Sequence, residues 1–76
     1  MTLAITELEF IRDATVGRIA DIIDSFRDIG VDTELFIDRS GYPVLRLDGI
    51  TPEGAQDMLA ECRDEHWVSL VREVTE

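Results

Sequence analysis

The sequence predicts an α+β domain of element order β-α-β-β-α-β. Three observations predict it. The hydrophobic period switches between two and about 3.6 in that order along the chain. Each strand segment offers two apolar residues to one face: Leu8 and Phe10, Leu35 and Ile37, Leu45 and Leu47, Val68 and Leu70. The connections are short, and with right-handed crossovers they give a ferredoxin-like, four-stranded antiparallel sheet with two helices on one face.

The first strand is Thr6–Ile11, with Leu8 and Phe10 on one side and Glu7 and Glu9 on the other. Thr6 and Glu9 also fit a capping box, which would run the next helix backwards to more than roughly twenty residues. That length, with Gly17 inside it, counts against the alternative. From Thr15 the spacing turns helical: Val16, Ile19, Ala20, Ile23 and Phe26 form an inner stripe flanked by Ile22 and Ile29. Arg18, Asp21, Asp24, Arg27 and Asp28 fill the outer face; Asp13 or Thr15 caps the start, and Gly30 closes the end as a C′ residue.

Glu34–Asp38 and Tyr42–Leu47 are two strands around Arg39-Ser40-Gly41, where the glycine supplies the positive φ of a bulged hairpin. Pro43, lacking an N–H, belongs at the start of its strand. Thr51 is the N-cap and Pro52 the N1 residue of a second helix whose inner face is Ala55, Met58, Leu59 and Cys62. Trp67–Val74 alternates again and closes the sheet.

Helices cover one face of such a sheet, so the other meets water or a partner. The opposite parity places Ile5, Glu7, Glu9, Ile11, Glu34, Phe36, Asp38, Tyr42, Val44, Arg46, Trp67, Ser69, Val71 and Glu73 there. A solvated face does not need that many apolar and aromatic side chains. The expected partner-binding surface is therefore Trp67, Phe36, Tyr42, Val44, Val71 and Ile11, rimmed by Glu7 and Glu9. A one-residue slip in any strand exchanges the two faces.

Seventeen acidic residues against seven arginines and no lysine give a net charge of −10 over 76 residues. That balance argues against direct contact with nucleic acid or an anionic membrane, both of which select cations. Stacking of RNA bases on the sheet is disfavoured for the same reason. The acid favours a protein partner with a basic surface, adaptation to a high-salt cytoplasm, or solubility alone. Asp21, Asp24, Asp28, Asp57, Glu61 and Asp64 are its candidate acidic surface on the helices. The length suits one domain, residues 1–76, with one small core. The single cysteine, Cys62, excludes an internal disulfide. No apolar run approaches the roughly 18 residues of a membrane span, and the N-terminal residues lack a basic leader region. A cytoplasmic location is expected.

Catalytic chemistry finds little support. Cys62 and His66 make a poor metal pair without further ligands, and no phosphate-binding glycine motif or nucleophile–base arrangement is present. The expectation is a non-enzyme without cofactor or metal.

The stretch from Arg12 to Ile23, continuing through Gly30-Val31-Asp32, resembles the first strand–helix unit of ACT domains, over roughly residues 8–38. The resemblance implies a ferredoxin-like fold and, for that family, amino-acid binding at paired domain interfaces. The family's Pro-Gly turn, which approaches the ligand, falls on Asp13-Ala14 here. Losing the glycine removes the close backbone approach, so no binding residue is carried over.

The leading expectation is a small acidic interaction module, in one version an inhibitor or nucleic-acid mimic of anti-defence type that occupies the basic surface of a nucleic-acid-handling protein. The alternative is an ACT-like regulatory homodimer that binds a small metabolite. Self-pairing through the open sheet face would use the same apolar residues as partner binding.

Overall fold

In the computed structural model, which describes residues 4–74, the elements run in the expected order. They are β1 (Ile5–Phe10), α1 (Val16–Asp28), β2 (Asp32–Ile37), β3 (Pro43–Asp48), α2 (Pro52–Glu61), a 3₁₀ turn (Glu65–Trp67) and β4 (Val68–Glu73). Met1–Leu3, part of the segment read for a leader, lie outside the described residues. The strands form one antiparallel sheet of order β2-β3-β1-β4, the ferredoxin-like βαββαβ arrangement. The capping-box alternative at Thr6 is not adopted: Thr6 is a buried β1 residue whose Oγ1 donates to the Ile50 carbonyl at 2.8 Å.

Local chemistry sets the boundaries. Thr15 caps α1, its Oγ1 accepting the Arg18 N–H at 3.2 Å, and Thr51 caps α2 by accepting the Gly54 N–H at 3.1 Å. At the end of α1, Val31 N–H donates to the Phe26 carbonyl and Gly30 N–H to that of Arg27, a Schellman motif with Gly30 at φ 84°. The same motif ends α2: Asp64 N–H reaches Leu59 and Arg63 N–H reaches Ala60. There the left-handed C′ residue is Arg63, φ 59°, where glycine is the usual choice. The β2–β3 turn closes on Gly41 at φ 87°, with Asp38 Oδ1 accepting the Ser40 and Tyr42 N–H groups.

The core lies between the helices and the covered sheet face: Leu8, Phe10, Leu45 and Leu47 meet Ile19, Ile22, Phe26, Ala55 and Leu59. Four expectations need correction here. The core stripe of α1 is Ile19-Ile22-Phe26, rotated from the expected one, so Val16 and Ala20 are exposed and Ile23 is half-buried. Cys62 is exposed, because α2 ends one residue before it and its backbone caps the helix instead. Leu35 and Ile37 belong to the covered face but are 47% and 63% exposed, because they lie on an edge strand that α1 covers only in part.

The fourth correction is to β4. Its register against β1 shifts between Glu9 and Phe10: Glu9 pairs with Leu70, whereas Phe10 pairs with Val68. Ser69 is the extra residue of this bulge. Beyond it the faces exchange. Val71, opposite Leu8, packs against the core, and Leu70 turns to the open face, 45% exposed.

Candidate interaction surfaces

The open face of the sheet carries an ordered row of charge. Register places Glu34 opposite Arg46, Arg46 opposite Glu7, and Glu7 opposite Arg72, so the signs alternate across β2, β3, β1 and β4. Arg72 Nη2 and Nε donate to Glu7 Oε1 at 2.8 and 3.0 Å, while Arg72 Nη1 lies 3.7 Å from Glu9 Oε2. Arg46 Nε is 3.7 Å from Glu7 Oε2, close enough for ion pairing but too far for a hydrogen bond. Glu7 is thus 9% exposed, held between two guanidinium groups.

This arrangement divides the partner surface expected from the sequence. Trp67 sits in the 3₁₀ turn ahead of β4 and, with Val71, packs against the core cluster. Its ring is 4.5 Å from that of His66, and its carbonyl accepts the Ile11 N–H at 2.9 Å. Val44 does lie on the open face, opposite Phe36 and Glu9, yet it is fully buried. Phe36, Tyr42 and Ile11 are half-buried. Glu7 and Glu9 form no free acidic rim, because Arg72 engages both. The open face thus carries a salt-bridged row across its strands beside these apolar side chains.

Two other surfaces stand out. On α2, Glu53, Asp57 and Glu61 are exposed at four-residue spacing, about 6 Å apart along the axis. The helix contains no cation, and its last turn carries Glu61 where the helix dipole favours a positive charge. Asp64 and Glu65 continue the acid beyond it. Asp21, Asp24 and Asp28 on α1 are exposed too, but Arg18 and Arg27 are interspersed among them.

The remaining surface is an apolar groove of about 210 Å³ between α1 and β2. Val16, Ile19, Ala20 and Ile23 line one wall; Leu35, Ile37 and Pro43 line the other. Val16 is 84% exposed. The sequence reading assigned all of these residues except Pro43 to covered faces and so missed this groove. The signal was available: β2 is an edge strand in this topology, so its covered-face residues have the least cover.

Among the described residues no helix is long and apolar enough to cross a membrane, and no group of three or more His, Cys, Asp or Glu side chains is placed to hold a metal. Compared with protein families, curated proteins and solved structures, the chain matches none.

Proposed function

We propose that this chain is a non-catalytic acidic interaction module that docks its α2 side against a basic surface of a partner protein. One observation carries the reading: α2 presents Glu53, Asp57 and Glu61 at i, i+4, i+8 with no cation within the helix. Like charges at that spacing cost about 0.2–0.5 kcal/mol per pair. A partner's arginines or lysines would relieve that repulsion on binding, so the helix is more favourable in the complex than alone.

The partner class that fits best is a nucleic-acid-handling protein, whose surface already displays cations for phosphates. A rigid row of carboxylates competes for those cations, as an inhibitor or nucleic-acid mimic does. This role suits the cytoplasm, where such partners and a free thiol at Cys62 coexist. The metabolite-binding alternative has weaker support. The groove beside the start of α1 is lined by apolar side chains alone, which offer nothing to the ammonium or carboxylate of an amino acid.

The test is capture of a basic protein from a cell lysate by the wild type and by the triple variant E53Q/D57N/E61Q, followed by challenge with duplex DNA. The reading expects a basic partner that the variant loses and that DNA displaces. Capture that persists with the neutral helix contradicts it.

A further inference from the structure

We propose that the outer edge of β2 takes a foreign strand, a segment of another protein in which apolar and basic side chains alternate. The two outer strands of the sheet differ in their fitness for this. β4 is interrupted by the bulge at Ser69, one of the means by which an edge is kept from pairing. β2 has no bulge and no proline, and all six of its residues pair with β3 in one unbroken register. Pro43, opposite Ile37, has no N–H to give, so that pair is non-bonded and the alternation runs from there. Asp32, Glu34 and Phe36 therefore turn their backbone groups to β3, while Thr33, Leu35 and Ile37 direct theirs outward.

Two cavities flank this edge, one on each face of the sheet. On the helix-covered face is the apolar groove of about 210 Å³, to which β2 contributes Leu35 and Ile37. On the open face is a cavity of about 200 Å³, where Asp32 and Glu34 of β2 meet Arg46 and Asp48 of β3. Among the described residues none of these three carboxylates is in an ion pair, and Arg46 lies against Glu7 instead, at 3.7 Å. Asp32 and Asp48 stand directly opposite each other, a like-charge pairing that costs stability and that a cation would relieve.

Those two linings select the occupant. A strand sends successive side chains to opposite faces, so one laid along β2 places alternate residues in the two cavities. The groove takes apolar side chains because its lining side chains are all apolar. The carboxylate cavity takes lysine or arginine. The offset of the cavities along β2 sets the order. In antiparallel pairing, the more stable per residue, apolar residues lie opposite Ile37 and Leu35, and basic residues opposite Glu34 and Asp32. The motif therefore reads apolar-x-apolar-basic-x-basic. A second copy does not supply it: β2 itself carries Asp32 and Glu34 and no cation, and each copy has a net charge of −10. The site is also separate from the one proposed on α2, which packs at the β4 side of the sheet.

The experiment is titration of the purified chain with the end-capped peptide Val-Thr-Val-Lys-Thr-Lys at about 0.15 M salt, where distant charges are screened from one another. Binding is read by fluorescence anisotropy of the labelled peptide and by amide hydrogen exchange of the chain. The expected results are saturable binding and new protection of the Thr33, Leu35 and Ile37 amides. N-methylation of the second valine removes the N–H aimed at Leu35 and should weaken binding about tenfold with the charge unchanged. Glutamate in place of both lysines should abolish binding, and D32N/E34Q should weaken it several-fold. E53Q/D57N/E61Q should leave it unchanged, so the outcome here is distinct from that of the α2 reading.

An N-methylated peptide that binds as tightly as its parent overturns the proposal, because charge alone would then suffice. So does the absence of binding at about 1 mM peptide, or binding that E53Q/D57N/E61Q removes. Protection of the Thr33, Leu35 and Ile37 amides in the chain alone, rising with its concentration, would give the edge to a second copy and also overturns it.

Discussion

Arg72 grips one carboxylate oxygen of Glu7 twice, from Nη2 at 2.8 Å and from Nε at 3.0 Å, across the β1–β4 pair. The contact depends on the bulge at Ser69, which exchanges the faces of β4 and brings Arg72 to the open side of the sheet. The Glu7 side chain is largely buried while that of Arg72 is 44% exposed, which places the pair between a surface ion pair and a buried one. Arg72→Ala and Glu7→Gln are each expected to lower stability by about 1 kcal/mol. A double-mutant cycle read by urea denaturation should give a coupling of similar size. Additivity of the two changes would contradict the pairing.

Trp67 packs against the core rather than standing on the open face. Trp67→Ala should therefore destabilise the fold by about 2 kcal/mol, below the range for fully buried aromatics because the side chain is only half-buried. A denaturation midpoint equal to wild type would return Trp67 to the solvent.

Arg63 holds φ 59° at the C′ position of α2. The left-handed conformation costs a non-glycine residue about 1–2 kcal/mol, part of which glycine gives back as entropy of the unfolded chain. Arg63→Gly is expected to stabilise by about 0.5–1 kcal/mol, a rise of about 4 °C in Tm for a domain of this size. Differential scanning calorimetry checks this, and a fall in Tm would show that the Arg63 side chain contributes more than its backbone costs.

Repulsion along α2 makes a prediction independent of any partner. Asp57 is flanked by Glu53 and Glu61 at i±4, all exposed. Asp57→Asn removes both repulsions and should stabilise the isolated chain by about 0.5 kcal/mol at low salt, less at high salt. A destabilised variant would mean that the carboxylate has a favourable contact within the fold.

Most of the architecture was legible because its signals are local. Thr15, Thr51, Pro52, Gly30 and Gly41 mark their caps and turns by chemistry that tertiary packing does not override. The open face was less legible, because a strand's parity is a collective property. The doublets Trp67-Val68 and Leu70-Val71 were the clue: one alternation cannot send both members of each pair inward, and the bulge resolves the conflict by placing Val68 and Val71 on the same side. The groove between α1 and β2 was missed for a different reason, since its signal lies in the edge position of β2 and not in the periodicity. Periodicity identifies which residues share a face but not how far a helix extends over an edge strand.

The most direct test of the central claim is quantitative recovery of bound proteins by the wild type and by E53Q/D57N/E61Q, each at low and high salt, read by mass spectrometry. The account predicts a basic protein that the wild type retains at low salt, that high salt releases, and that the neutral-helix variant fails to retain. Retention indifferent to both the substitutions and the salt would contradict it.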